Sequence, residues 1–205
     1  MNDSRQQFIN ALTANQQIFD VSLSLITLNK LADYYELVQK HNEFLHLVAP
    51  SSPENFAVRH ILESLFLQNF LPKNAKFADI GTGAGLPSVP CLIVRKDLGG
   101  VLIESKLKKV RFLEEVVREC KLEKRAEIFN QQFEEVAKLD VDFVACRALD
   151  RFTEKLPKIL KWSRRCGLFF FGGNNLGESL EKYGVKFERK LIPNSIQRFI
   201  FIAKN

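Results

Sequence analysis

Asp79, Gly81, Gly83 and Gly85 stand at every second position of "FADIGTGAGLPSVP", and Glu104 follows nineteen residues after the last of them. The apolar run before Asp79 reads as a strand, and a helix is expected from about Leu86. Alternate glycines let the chain turn sharply and approach a ligand closely. The N-terminus of a following helix then directs free N–H groups and a positive dipole end toward that ligand. Two phosphate loops are excluded: no Lys-Ser/Thr pair follows the glycines as a Walker loop requires, and G-T-G-A-G lacks the last interval of the dinucleotide fingerprint. An acid ahead of the first glycine suits a ligand that is positive or donates hydrogen bonds.

Glu104 closes the next apolar run, "GGVLIE", where a carboxylate can accept both hydroxyls of a ribose. S-adenosylmethionine offers an ammonium, a sulfonium and a ribose, so it matches both acids. Phe133 and Glu134 in "FNQQFEEV" follow the third strand and offer an apolar surface and an acid to an adenine. The plainer alternative is that Asp79 only orders the turn and Glu104 only caps the next helix. The joint spacing favours a methyl-donor pocket.

These residues need elements to hold them. Apolar residues recur at three- and four-residue steps from Leu28 to Val48, predicting a helix. A second helix is expected from Pro53 to Asn69, with Ser52 as its cap, Glu54 in its first turn and Pro72 as its stop. A shorter one is expected from Arg5 to Phe19. Beyond Pro72, short apolar runs (Phe77 to Ile80, Val101 to Ile103, Ala126 to Phe129, Phe143 to Cys146, Leu168 to Phe171) alternate with helical stretches. That alternation predicts βαβ units and a mostly parallel α/β sheet. Two further segments, Val185 to Leu191 and Ile196 to Ala203, are joined by "IPNS" and predict a C-terminal antiparallel hairpin. The chain thus divides into a helical N-terminal extension, residues 1–72, and a Rossmann-like unit, residues 73–205.

The 205 residues, 46% hydrophobic and 26% charged, describe a globular chain able to bury a sizeable core. No apolar run is long enough to span a bilayer and no signal peptide is visible, which predicts a cytoplasmic protein without a membrane partner. Cys91, Cys120, Cys146 and Cys166 form no C-x-x-C pair and read as buried structural thiols. His41 and His46 lack the neighbours of a metal site, so none is expected. Residues 1–70 hold 4 Lys/Arg against 7 Asp/Glu, and residues 71–205 hold 26 against 17. A basic portion of this kind faces a polyanion.

Four segments resemble the GidB or RsmG family of bacterial 16S ribosomal RNA guanine-N7 methyltransferases: "VRHILESL" (58–65), "DIGTGAGLPSVP" (79–90), "KKVRFLEEV" (108–116) and "CRAL" (146–149). The resemblance runs from about Leu31 to the C-terminus. It implies a class I methyltransferase sheet behind a helical extension, acting as a monomer on 16S ribosomal RNA or the small ribosomal subunit. By position it implies Gly81 and Leu86 at the methionine side of the cofactor, Phe133 and Glu134 at its adenine, and Arg147 beside the methyl. Glu104 stands where the family commonly has Asp. His46, Leu47 and Val48 replace Asn-Leu-Thr, and Gly172, Gly173 replace Lys-Gly.

Guanine N7 carries a lone pair and no proton, so methyl transfer to it needs alignment rather than a general base. Arg147 is the candidate for orienting the base, since guanidinium donors match guanine O6; its alternative is an ion pair with a carboxylate such as Asp150. Arg59 and His60 are adjacent on the second helix, as RNA contacts or as a solvated arginine and a packed histidine. Arg151 opens a basic stretch, "RFTEKLPKILKWSRR", whose Trp162 is either an RNA contact or core. "KLKKVRFLEEVVRECKLEKR" alternates charge and reads as a solvated helix face. Two other functions stay open: a methyltransferase of the same fold acting on a small molecule or protein, and a non-catalytic RNA-binding or ribosome-assembly protein.

Overall fold

A computed structural model describes residues 2–137, 139–149 and 151–204. Three helical stretches come first: α1 (Asn2–Asn15), α2 (Leu25–Leu45) and α3 (53–70). A single 3₁₀ turn, Gln16–Phe19, extends α1. Ser24 caps α2 by accepting from the Thr27 amide at 3.2 Å. The helix stops at Leu45, short of the expected Val48, because His46 turns left-handed at φ 47° and leaves the ladder. Ser52 caps α3 in the same manner, with Pro53 in its first turn. Inside α3 the regular ladder gives way to a π segment, Ala57–Leu62, and ends in a 3₁₀ turn, Leu67–Phe70.

The remaining elements alternate: β1 (Lys76–Ile80), α4 (Ser88–Val94), β2 (Gly99–Ile103), α5 (Leu107–Glu119), β3 (Ala126–Phe129), β4 (Phe143–Arg147), α6 (Phe152–Trp162), β5 (Gly167–Gly172) and α7 (Asn174–Lys182). The hairpin β6 (Phe187–Leu191) and β7 (Phe199–Lys204) closes the chain. The sheet order is β3-β2-β1-β4-β5-β7-β6. Pairing is parallel from β3 to β5, and β7 runs antiparallel between β5 and β6. The hairpin is shorter than expected at both strand starts. Ile196, 89% exposed, lies outside β7, because Ser195 and Arg198 close a turn there through two hydrogen bonds.

Both faces of the sheet are covered, which is why β1 and β2 are apolar nearly throughout. Phe77, Leu102 and Phe169 pack into one cluster with Leu92 of α4, Leu113 of α5 and Leu31, Phe56 and Leu65 of the N-terminal helices. Ala78, Ile80, Val144 and Phe170 pack on the other face under Leu156 of α6 and Leu176 of α7. The N-terminal helices therefore share their core with the sheet. No helix among the described residues is long and apolar enough to cross a membrane. All four cysteines are buried, and no disulfide joins them.

Candidate methyl-donor and acceptor cleft

The chain reverses direction sharply where β1 ends. Gly81 has φ 68°, a conformation that favours glycine, and a Cβ there would meet Leu149 Cδ1 at 2.5 Å and displace that side-chain tip. Gly85, at φ 93°, is required for packing: its Cβ would strike Val89 Cγ2 at 2.5 Å. Beneath the loop Asp79 is fully buried. Its Oδ2 accepts from Thr82 Oγ1 at 2.7 Å and from the Ser88 hydroxyl, while Oδ1 is buried with no partner among the described residues. Burial pushes the Asp79 carboxyl up to about 7, against the pull of the Ser88 and Thr82 hydroxyls and Arg147. From above, Tyr34 of α2 donates its hydroxyl to the Ala84 carbonyl at 2.8 Å.

A cleft of about 990 Å³ opens at the C-terminal ends of β1, β2 and β4, as open α/β sheets place their ligands. Glu104 lines it and spans the neighbouring turns: Oε2 accepts from the Gly83 amide at 3.2 Å and Oε1 from the Lys106 amide at 2.8 Å. Phe133 lines it beyond Glu104, held edge-on by Trp162 at 6.3 Å. Trp162, half-buried against the cluster on this face of the sheet, donates its indole N–H to the Val136 carbonyl at 3.0 Å and so supports Phe133. Gly81, Gly83 and Leu86 line the same space.

The opposite wall is built by α3, β4 and β5. Arg147, at the end of β4, has a side chain only 13% exposed, and Glu63 beside it is 3% exposed. One terminal nitrogen of Arg147 donates to the His60 carbonyl at 3.3 Å and Ser64 Oγ at 2.9 Å. The other donates to the Arg59 carbonyl and to Glu63 Oε2 at 3.2 Å. The π segment of α3 thus turns two carbonyls toward the sheet, an arrangement frequent at functional sites. Glu63 also accepts from Arg198 at 2.6 Å, so one buried carboxylate holds two guanidinium groups. His60 lines the cleft against Phe56, and burial with the nearby Arg147 and Arg59 depresses its pKa to about 4, so it is neutral at neutral pH. Arg59 is exposed at the rim.

Some expected positions stand off this wall. Asp79 is turned under the loop, where two hydroxyls draw its carboxylate, and Gly85 is walled in by Val89. Glu134 points outward to Lys158 at 3.4 Å. Arg151 is exposed near Glu154 at 4.0 Å, outside the cleft lining. The carboxylate paired with Arg147 is Glu63; Asp150 lies outside the described residues. Glu63, Tyr34, Arg198, Lys109 and Lys155 were not singled out by sequence reasoning. Glu63, Lys109 and Lys155 nonetheless fall in segments already marked, "VRHILESL", "KKVRFLEEV" and "RFTEKLPKILKWSRR". Val48 and Gly172, which stand where the resemblance implies Thr and Lys, both line the cleft, next to Leu47 and Gly173. No group of three or more metal-binding side chains occurs among the described residues.

A SAM-dependent methyltransferase from Aquifex aeolicus shares this fold, with a TM-score of 0.59 at 16% identity over 83% of this chain and 97% of that one. Ribosomal RNA small subunit methyltransferase G of Erwinia tasmaniensis is 39% identical over 115 residues, 56% of each chain, so that match spans little more than half of the relative's length. The protein of the same description from Aster yellows witches'-broom phytoplasma is 34% identical over 164 residues, 75% of each chain. Residues 27–196 match the family described as GidB, rRNA small subunit methyltransferase G, and the chain belongs to that family.

Proposed function

We propose that this protein transfers a methyl group from S-adenosylmethionine to N7 of a guanine in the 16S ribosomal RNA of the small subunit. The observation that carries the reading is the cleft in which the glycine turn, Glu104 and Phe133 meet on one side and the Arg147–Glu63 wall stands on the other, in a chain of this family.

The donor half fits the cofactor. Each Glu104 oxygen accepts one backbone N–H and keeps a further lone pair, enough for the two hydroxyls of a ribose. Phe133 offers the adenine an apolar surface, and Gly81 and Leu86 leave room for the methionine chain. Asp79 supports this half from below by fixing Thr82 and Ser88. Bound there, S-adenosylmethionine supplies a methyl on a positively charged sulfur, which the lone pair of guanine N7 takes without prior loss of a proton.

What remains for the protein is alignment and the exclusion of water. Arg147 spends the donors of both terminal nitrogens on α3, so Nε–H is what it retains for a base, and its main work is to brace the acceptor wall as a fixed cation. No residue is assigned to proton transfer. We also propose that it works as a monomer on ribosomal particles in the cytoplasm. The test offers isotopically labelled S-adenosylmethionine to the protein with 30S particles from cells lacking it. Label in the RNA is expected, and label confined to protein or small molecules would overturn the reading.

A further inference from the structure

We propose that Lys155 is the positioning residue that holds the RNA backbone at the acceptor side of the cleft, through a phosphate beside the guanine to be methylated; this rests on the RNA-methylating reading above. An RNA strand brings a negative charge with each nucleotide, and the cleft must meet it with cations not already neutralised. Arg147 and Arg198, which line the acceptor wall, are both committed to Glu63. Lys106 and Lys109 belong to the donor half: the Lys106 amide is bound to Glu104, and Lys109 Nζ lies 4.0 Å from where a Cβ on Gly83 would stand. His60 is neutral at neutral pH.

Lys155 differs from all of these, and from Arg59, which lines the cleft from an exposed place at its rim. It is half-buried on α6, lines the cleft, and its ammonium has no hydrogen-bond or ion-pair partner among the described residues. The other lysines of the same helix, Lys158 and Lys161, are exposed, and Lys158 is engaged by Glu134. An ammonium that lines the cleft without a counter-charge is open to pairing with a bound anion. The end of β5 cannot supply that cation, since a Cβ on Gly172 would meet Leu176 Cδ2 at 2.6 Å and its Cβ at 3.0 Å. Leu176 therefore fills the space in which any side chain at 172 would begin.

The test compares the unmodified protein with Lys155→Gln, Lys155→Arg and, as a control on the exposed last turn of α6, Lys161→Gln. It measures KM for 30S particles across a salt series, together with S-adenosylmethionine affinity. Lys155→Gln is expected to raise KM about five-fold near physiological salt and to lower the slope of log KM against log salt by about 0.7 to 0.9, the loss of one phosphate contact. Its cofactor affinity should be unchanged, and Lys155→Arg should restore both KM and slope. An unaltered KM and slope in Lys155→Gln, an equal loss in Lys161→Gln, or a loss of cofactor affinity would each overturn the assignment. No label in RNA from the unmodified protein would instead overturn the reading on which it rests.

Discussion

Asp79 carries its proton to an unusual pH because it is fully buried, and ionisation would strand a charge in the core. The unfolded chain releases that proton near 3.8, whereas the folded protein holds it to about 7. Between those values the folded state binds the extra proton, so stability falls as pH rises through this window, by at most about 1.4 kcal/mol per pH unit. Asp79→Asn keeps an acceptor for Thr82 and Ser88 and cannot ionise. The difference between the urea-unfolding curves of the two proteins is predicted to shift in favour of the variant from pH 4 to pH 7. A difference that does not change with pH would contradict the burial argument. At this scale the sequence was readable in kind but not in aim. Glu104 reaches the cleft as its place at a strand end implies, while Asp79 is drawn under the loop by Thr82 and Ser88, which the glycine spacing does not announce. Glu63 carries no local mark of its role, because Arg147 and Arg198 reach it from β4 and from the β6–β7 turn.

At the scale of elements, α2 reaches across to the glycine loop through one buried hydroxyl, Tyr34, and so ties the N-terminal helices to the donor half of the cleft. Tyr34→Phe keeps the ring and leaves the Ala84 carbonyl without its donor. A net hydrogen bond of about 0.5 to 1.5 kcal/mol predicts a roughly 2- to 10-fold weaker S-adenosylmethionine affinity by titration calorimetry, with KM for the RNA particle little changed. An unchanged cofactor affinity would show that the loop holds its shape without α2. Helix starts were legible where local chemistry sets them, as Ser52 and Pro53 do for α3. The end of α2 was not, because a left-handed histidine carries no glycine to mark it. Nor was the π segment of α3, whose carbonyls at Arg59 and His60 are satisfied by Arg147, more than eighty residues away. Apolar spacing along "AVRHIL" reads the same for either ladder.

Taken whole, the molecule is one covered sheet whose core runs without a break into the N-terminal helices, from Leu31 and Phe56 to Phe77 and Phe169. The alternating pattern after Pro72 made the parallel sheet legible, whereas the joining of its core to the extension depends on contacts that no local pattern encodes. A fragment of residues 73–205 would expose that shared apolar surface, and it would leave Arg147 without Glu63 and the α3 carbonyls. It is predicted to lose cooperative thermal unfolding; a fragment that melts cooperatively near the temperature of the full chain would instead make the extension an independent unit. The division of charge is consistent with a cleft that receives a polyanion on its basic side. The central claim, that this cleft places a methyl on guanine N7, is tested most directly by reduction and aniline cleavage of 16S ribosomal RNA after reaction with 30S particles. This chemistry breaks the strand at 7-methylguanine. Strand scission at one guanine, absent without the protein and absent with Gly81→Ala, is the predicted result; methyl label in the RNA without such a break would contradict it.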